Sequence, residues 1–599
     1  MNKAFKSIWS DARQSFVTTS EIQCSHGKRS KTSVSLGVAA VLLAAGGLAS
    51  AAYVETGVLG DKASWETAEY NYNWGLGAMN ASSAYALGFY GQNTTTGVMD
   101  SGAWLGNPDL DSPRITATHV TGVYGSTGNR YPQSIYATIQ KGVTPTAGEG
   151  QPFTEGEEFD VKGDYTLGLN DAHGTQVTGV IGAERNGEYG HGVAFKADVV
   201  VGNTGATDNN NYGPFQDYNY YFKGYKALAD AVNAGNGEYR GGMVNNSYGT
   251  NTKIYSSGGH RLTPDEMSDL LAGNGSYERA AAAYSVTFSG DYSFLGLDDV
   301  PGADQYSANP SAFEWEYMYF KLKYGDNPSF LDGAYDAVKG TNVILSWAAG
   351  NQDRGTPYLK GLYPYFHPEA EKNWLNAVGV MQTRGDNDQY MQATYCKAGL
   401  AKWWSMAGPT AYPGIGTTYV TSQLEDGRVT TTGFNGTSAS DPQISGAFTV
   451  LQSRYPSMTA IQVKDVMYTT ASHIGANGQS FTNWTAAEGT PDVIYGWGMP
   501  DLEKGMYGPG QFLDHFEYRL AEPLDVWSND ITEAGLQQRE KEDKAWMAAT
   551  KNGTDPDAGG EYTLGDDIVV LDGNLDFYDN AVSPEQAKKW RAEYYAARA

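Results

Sequence analysis

The sequence predicts an α/β fold built on a mostly parallel central sheet flanked by helices. The β-prone runs lie at residues 96–99, 197–201, 242–246, 343–347 and 376–380. The stretches with helical character lie at residues 173–183, 228–234, 438–452 and 460–471. Because strands and helices alternate, each helix can return the chain to begin the next parallel strand. Polar residues that follow such strands are expected to meet at the carboxyl edge of the sheet.

The N-terminus has the pattern of a cleaved export signal, predicted over residues 1–51. A basic run at residues 28–31 precedes the apolar run 34–48, and small residues at 49–51 supply a cleavage site. The apolar run is too rich in Gly and Ala to predict a membrane anchor. We therefore expect an exported protein.

The remaining chain is divided by changes in composition. Residues 52–95 form an N-terminal lead-in with a helical pattern, and residues 96–508 form the main domain. Two polar or glycine-interrupted stretches, about 105–160 and 250–335, are predicted to be long insertions, the first consisting mainly of loops. Residues 509–599 are charged and patchy, and form a C-terminal extension.

Charge and cysteine content exclude several functions. The 599 residues carry a formal net charge of −27, which repels phosphate backbones and argues against a nucleic-acid partner. Such a surface favours cationic peptides by weak steering. Cys24 lies in the signal, so Cys396 alone remains and no internal disulfide can form. A plain buried thiol is the favoured interpretation of Cys396 over a nucleophile.

Three short motifs supply an acid, a base and a hydroxyl nucleophile. Asp100 ends a β-prone run, His173 precedes Gly-Thr, and Ser438 follows Gly-Thr at the start of a helix. A serine hydroxyl needs a general base, and the base needs a carboxylate that fixes its tautomer. The N-terminus of the helix favours a developing oxyanion. We predict Ser438 as nucleophile, His173 as general acid and base, and Asp100 as the orienting carboxylate.

In their chain order, Asp then His then Ser, these motifs resemble those of the subtilisin-like serine proteases. Residues 436–442 (GTSASDP) are similar to the serine motif of that family, 96–102 to its aspartate motif and 173–177 (HGTQV) to its histidine motif. The resemblance covers about residues 66–508. It implies a subtilisin-like fold and a serine endopeptidase that acts on polypeptide substrates.

The resemblance also implies an oxyanion hole and two substrate-binding walls. Asn351 ends a segment similar to the family's oxyanion segment and would donate its side-chain amide. The implied substrate-binding residues are Ser247, Tyr248 and Gly249 on one wall and Ala348, Ala349 and Gly350 on the other. Small walls predict an open, apolar pocket and broad cleavage specificity.

One departure from the family pattern lies close to the nucleophile. Asp441 stands three residues after Ser438, where it either slows the reaction through its negative charge or caps the helix.

The predicted chemistry needs no cofactor. The sequence contains no EF-hand ligand run and no His-Glu-x-x-His zinc spacing, and it leaves structural calcium open.

Several segments resemble autotransporter-type subtilases of Gram-negative bacteria. Residues 1–30 are similar to their extended signal peptides, and residues 80–86, 495–498 and 526–531 to segments of their secreted part. In those proteins an outer-membrane β-barrel follows, but residues 512–599 lack alternating ten-residue strands. We expect the barrel domain to be missing from this chain. The implied location is secreted or at the cell surface, or periplasmic if no outer-membrane translocator is available.

A second interpretation is a catalytically inactive subtilase scaffold that serves as a surface binding module, with its insertions making the contacts. The presence of all three catalytic side chains favours the protease. Mutation and labelling of Ser438 distinguish the two.

Overall fold

The computed structural model describes two compact units, Met1–Ala52 and Tyr53–Ala599. The residues described with their side chains are 53–126, 154–164, 172–188, 190–204, 217–248, 328–351, 356–365, 367, 369–382, 395–410, 433–474, 480–487 and 489–507. In the first unit, strand Phe5–Ser10 pairs antiparallel with strand Ser15–Ser20.

The second unit is built on an eight-stranded sheet. In chain order its strands are β1 (Thr95–Asp100), β2 (Ile115–Ala117), β3 (Asp198–Asn203), β4 (Gly242–Asn246), β5 (Val343–Ala348), β6 (Trp374–Gln382), β7 (Tyr390–Gln392) and β8 (Ser405–Pro409). Their spatial order is β7-β6-β5-β4-β1-β3-β2, with β8 also paired to β6. Every pairing is parallel except that of β6 with β7. The predicted α/β fold with a mostly parallel sheet is confirmed.

Further strands pair outside this sheet. They are His119–Val123 with Glu158–Lys162, Gly128–Asn129 with Pro152–Phe153, Arg261–Leu262 with Thr287–Phe288, Thr418–Gln423 with Val429–Phe434, and Glu517–Arg519 with Val526–Ser528. The described α-helices are Ala68–Tyr72, Trp74–Ala78, Ala81–Ala86, His173–Gly182, Tyr218–Asn236, Phe330–Val338, Leu359–Phe366, Thr437–Arg454, Ala460–Thr469 and Leu502–Tyr507. The described 3₁₀ helices are Lys62–Trp65, Pro368–Asn373 and Gly399–Trp404. None of the described helices is long and apolar enough to cross a bilayer.

Strand β1 is buried on both faces, which fixes the layers around it. Successive side chains of a strand point to opposite faces of the sheet. Met99 packs with Leu228 of the helix Tyr218–Asn236, whereas Val98 packs with Val177 and Ala439. The helices that begin at His173 and at Thr437 therefore lie together on one face of β1.

The first insertion contains more regular structure than its composition predicts. Residues 105–160 were predicted as loops, but β2 within them extends the central sheet beside β3. The strand Glu158–Lys162 alternates exposed and buried residues, and Phe159 packs against Tyr124 and Tyr220. The alternation of apolar and polar residues that predicts such a strand is weak in a short polar stretch, which explains why the prediction was wrong. Most of the second insertion, residues 249–327, and the C-terminal residues 508–599 lie outside the described side chains.

The lead-in belongs to the same compact unit as the sheet. Its helical pattern is interrupted at Asn80, whose φ is 55°, and its apolar side chains, among them Leu76 and Tyr85, lie in the main core. The helix Leu502–Tyr507 closes against it: Leu502 N–H donates to the Met79 oxygen at 2.8 Å, and Asn80 Nδ2 donates to Asp501 Oδ1 at 3.1 Å. The start and the end of the domain are thus joined directly.

Candidate active site

The carboxyl ends of β1, β4 and β5 meet at one edge of the sheet. The register aligns Asn245 of β4 with Val98 of β1, so Ser247 reaches the level of Asp100 two residues further on. Asn246 of β4 in turn aligns with Trp347 of β5. This edge therefore collects the predicted acid and the two predicted substrate-binding segments, as expected for a parallel sheet.

Asp100 and His173 are hydrogen-bonded. His173 is the first residue of its helix, and its Nδ1 lies 2.8 Å from Asp100 Oδ1. The same Oδ1 accepts from Ser101 N–H at 2.7 Å, and Asp100 is fully buried. Because a carboxylate can only accept, Nδ1 carries the proton and Nε2 is the basic nitrogen. The ring of His173 meets Phe434 edge-on at 5.5 Å.

The start of the histidine helix lies directly against the end of β1. Gly174 N–H donates to Ser101 Oγ at 2.9 Å. A Cβ added to Gly174 would lie 2.1 Å from the Gly102 carbonyl oxygen, so only glycine fits after His173. This contact holds the imidazole beside the carboxylate.

Ser438 is the second residue of the helix Thr437–Arg454 and is almost completely buried. Its hydroxyl donates to the main-chain oxygen of Ser247 at 2.7 Å. Sequence reasoning missed this partner, because any residue supplies a main-chain oxygen.

Asn351 is held beside the start of the serine helix. Its Oδ1 accepts from the Thr437 N–H at 2.8 Å and from the Thr437 hydroxyl at 2.9 Å. Both bonds hold the oxygen, so the amide nitrogen Nδ2 of this exposed residue faces away from Thr437. Thr437 Oγ1 also accepts from Gly350 N–H at 3.1 Å. The side-chain amide of Asn351 is thus fixed next to the residue that precedes Ser438.

Two glycines with positive φ permit this close approach. Gly350 has φ 117°, and a Cβ there would lie 2.2 Å from the Tyr358 ring. Gly436 has φ 84°, and a Cβ there would lie 3.0 Å from the Asn351 amide. Side chains at either position would strain the backbone and displace their neighbours.

The predicted substrate-binding segments keep their side chains buried. Ser247, Tyr248 and Ala349 are fully buried. The Tyr248 hydroxyl lies 2.6 Å from the Tyr225 hydroxyl, and its ring meets Trp347 edge-on. Ala348 is 4% exposed, while Gly249 lies outside the described residues. Substrate contact by Ser247 and Tyr248 would therefore use the main chain.

Asp441 points into the sheet, so the predicted alternative of a helix cap is wrong, and the alternative of a slowed reaction stays a prediction. Its Oδ2 accepts from Asn246 N–H at 3.2 Å and from Ser247 Oγ at 3.5 Å, and its Oδ1 accepts from the Ser346 hydroxyl. The carboxyl thus bonds to β4, β5 and the residue after β4, and not to the first turn of its own helix. Burial raises the pKa of Asp441 to about 7, and the negative charge of Asp100 adds to the rise. The three hydrogen bonds oppose it.

The described residues offer no cluster of metal ligands. No group of three or more His, Cys, Asp or Glu side chains among them is arranged to hold an ion.

The fold and the site define an α/β protein with Asp, His and Ser side chains gathered near one sheet edge. Residues 91–498 match the subtilase family, and this match spans more than half of the chain. The chain belongs to the subtilase family. Residues 1–50 match the extended signal peptide of the type V secretion system.

The chain is similar to several proteins of Gram-negative bacteria. An extracellular serine protease of Serratia marcescens is 24% identical over 488 residues, which cover 77% of this chain and 36% of that protein. The neisserial autotransporter lipoprotein NalP of Neisseria meningitidis serogroup B is 22% identical over 451 residues, or 72% of this chain and 34% of that protein. Serotype-specific antigen 1 of Mannheimia haemolytica is 32% identical over 195 residues, or 32% of this chain and 19% of that protein.

The chain spans about a third or less of the length of these relatives. The predicted resemblance to autotransporter-type subtilases is confirmed. The predicted export to the cell surface or the medium is confirmed as well: residues 1–50 match an extended signal peptide, and the similar proteins include an extracellular protease and an autotransporter.

Proposed function

We propose that this protein is an exported serine endopeptidase in which Ser438, His173 and Asp100 form a catalytic triad. The observation that carries this proposal is the 2.8 Å bond between His173 Nδ1 and the buried Asp100. This bond leaves Nε2 as the basic nitrogen, which is the tautomer that a general base for serine requires. Membership of the subtilase family supports the same assignment.

In the proposed reaction, the Ser438 hydroxyl turns from the Ser247 oxygen towards His173. Nε2 accepts the proton while Oγ attacks the carbonyl carbon of the peptide bond, and Asp100 stabilises the imidazolium that forms. The imidazolium then donates its proton to the leaving amine, which departs and leaves an acyl-enzyme. Water, deprotonated by His173, attacks the acyl-enzyme and releases the second product.

We further propose that Asn351 Nδ2 and the Ser438 N–H bind the oxyanion of the tetrahedral intermediate. The two hydrogen bonds that Thr437 donates to Asn351 Oδ1 orient the amide before the substrate arrives. A donor that is oriented in advance stabilises the oxyanion most effectively. The main chain of residues 247–249 would pair with the substrate as an added strand. The substrates would be polypeptides, with broad side-chain preference.

The assignment of the nucleophile is tested with a fluorophosphonate probe on the full exported protein. Wild type should be labelled and Ser438→Ala should not. Ser453→Ala is the matched control, because Ser453 lies in the same helix and also donates to a main-chain oxygen at 2.7 Å; it should label like wild type. Folded wild-type protein that stays unlabelled, with or without calcium, would favour the inactive binding module.

Replacement of Asn351 by alanine should lower kcat about 10²- to 10³-fold, since the oxyanion loses a preorganised donor. KM should change little, because the donor acts mainly on the transition state. Steady-state kinetics with a peptide substrate measure both constants. Asn342→Ala, which removes an amide that donates to Tyr239, is the control. A kcat of Asn351→Ala within threefold of wild type would argue against an oxyanion role.

A further inference from the structure

A buried carboxyl cluster lies behind the proposed triad and is made by Asp441, Asn246, Ser247 and Ser346. All four residues are fully buried. Asp441 accepts hydrogen bonds from the other three, and Tyr225 donates to Asn246 Oδ1 at 2.7 Å from the opposite side. A buried carboxyl is costly unless it is fully hydrogen-bonded, so its presence calls for a role that an apolar side chain would not fill.

The carboxyl cluster connects the helix that carries Ser438 to the end of β4. Asp441 follows Ser438 by three residues on the same helix, nearly one turn away. Its Oδ2 accepts from Asn246 N–H and Ser247 Oγ, and the Ser247 oxygen accepts the Ser438 hydroxyl. One helix turn is therefore joined to the end of β4 at two points, at Ser438 and at Asp441.

The Asp441 carboxyl also bonds to β5, the strand that leads to the second proposed substrate-binding segment, residues 348–350. Ser346 of β5 donates to Asp441 Oδ1, and β5 leads directly to Ala348 and then to Asn351. The carboxyl cluster thus bonds to both strands whose ends carry the proposed substrate-binding segments. A change in this bonding would shift both walls relative to Ser438.

We propose that Asp441 is a positioning residue of the hydrolytic site, which holds the ends of β4 and β5 in register with Ser438 through its three accepted hydrogen bonds. The inference rests on the proposed function. Asp441 touches neither substrate nor the reacting atoms, and acts through Ser247 and Ser346.

The ionised carboxyl is the state that can hold the cluster. A carboxylate accepts at both oxygens, whereas a protonated carboxyl must donate from one of them. Protonation would therefore either reverse the hydrogen bond with Ser346 or Ser247, whose hydroxyls can also accept, or displace the Asn246 N–H, which can only donate. The raised pKa, about 7, brings this change into the range in which a serine protease works.

The charged and titratable groups that face Asp441 are few. Asp100, at the end of β1, opposes ionisation by its negative charge, and it bonds in turn to His173. Tyr225, on the helix Tyr218–Asn236, faces both carboxyls and contacts the cluster through Asn246. Within the described ranges, no Lys or Arg side chain forms an ion pair with Asp441.

Asp441→Asn separates a positioning role from a purely structural one. The asparagine resembles the protonated acid with its donor towards Ser346, so kcat at pH 8 should fall about 10- to 100-fold, with KM within threefold of wild type. Because protonation of His173 stops the reaction and protonation of Asp441 lowers kcat further, the acid side of a plot of log kcat against pH should be steeper than one where the two titrations overlap. In Asp441→Asn the slope should return to one.

The Asp441→Asn variant should be more stable than wild type at pH 8, although its kcat is lower. Because the folded-state pKa of Asp441 lies above its ordinary value of 3.8, the stabilising contribution of this group is fully present below about pH 4 and is lost as the pH rises through about 7. The Tm of the variant should therefore exceed that of wild type at pH 8 more than at pH 4. A purely structural acceptor predicts a lower Tm at pH 8 and an unchanged slope.

Two further variants complete the experiment, which uses the full exported chain and a peptide that wild type cleaves. Ser346→Ala removes a donor that lowers the pKa of Asp441, so the acid limb of kcat should move to higher pH. It decides the question if Asp441→Asn does not fold. Asp501→Asn, a buried carboxyl at the start of the helix Leu502–Tyr507, is the control and should leave the pH profile unchanged.

The outcomes distinguish a failure of the proposed function from a failure of the positioning role alone. If wild type neither cleaves peptides nor reacts with the fluorophosphonate, the proposed function fails. If wild type is active, but Asp441→Asn keeps its kcat and slope or Ser346→Ala leaves the acid limb in place, the positioning role alone is overturned.

Discussion

Ser438→Ala is expected to lower kcat by about 10⁶-fold, the magnitude found when the triad serine of subtilisin is removed. The loss is large because the hydroxyl oxygen forms the covalent bond to the acyl group. Residual hydrolysis would come from the oxyanion hole and substrate binding alone. Turnover of a peptide substrate, followed over several days for the variant, measures the difference.

The fold of Ser438→Ala should remain intact. Ser438 makes one side-chain hydrogen bond, to the Ser247 oxygen, and its loss costs about 1 kcal/mol. The Tm of the variant should therefore stay within a few degrees of wild type. Activity of Ser438→Ala within 100-fold of wild type, in protein shown by mass spectrometry to be free of wild-type enzyme, would assign the nucleophile elsewhere.

Asp100→Asn is expected to lower kcat by about 10⁴-fold, because both orientations of the new amide are unfavourable. With the amide nitrogen towards His173, the ring must accept at Nδ1 and Nε2 carries the proton, so it cannot act as a base. With the amide oxygen towards His173, the negative charge is lost. The nitrogen then occupies the position of Asp100 Oδ2, which is buried without a hydrogen-bond partner among the described groups.

The kcat of Asp100→Asn at pH 8 measures this effect. Asp501→Asn is the control, because it changes another buried carboxyl in the same way and should remain active. Retention of more than a tenth of the wild-type kcat by a folded Asp100→Asn protein would mean that His173 does not depend on this carboxylate. The fluorophosphonate should label Asp100→Asn far more slowly than wild type, since labelling also needs the base.

The parts of the fold that depend on local pattern could be predicted from the sequence. Strand β4 matches its predicted range of 242–246, and the helix at His173 differs from prediction by one residue at its end. The helix Tyr218–Asn236 was predicted only over 228–234, because tyrosines, which also favour strands, supply much of its buried face in the first half. Strand β2 was missed because three residues carry too little periodicity.

The structure pairs two of the predicted site residues directly and places the others beside neighbours of the site. Asp100 and His173 are bonded, and Asn351 lies beside Thr437, but the roles of these residues and of Ser438 remain predictions. The carboxyl cluster could not be predicted, since Asp441 and Asn246 are 195 residues apart in the chain. No spacing rule relates a buried acid to donors on two distant strands.

The direct contact between the lead-in and the helix Leu502–Tyr507 has a consequence for how the domain matures during export. Asn80 and Asp501 are separated by 421 residues, so the bond between them closes a very long loop, and such non-local contacts form late and slowly. Ser438 lies within that loop. A chain that crosses a membrane as an extended polypeptide therefore completes its core, and with it the environment of the nucleophile, only after nearly the whole domain has emerged. Slow closure would therefore delay the proposed proteolytic activity until translocation of the domain is almost finished.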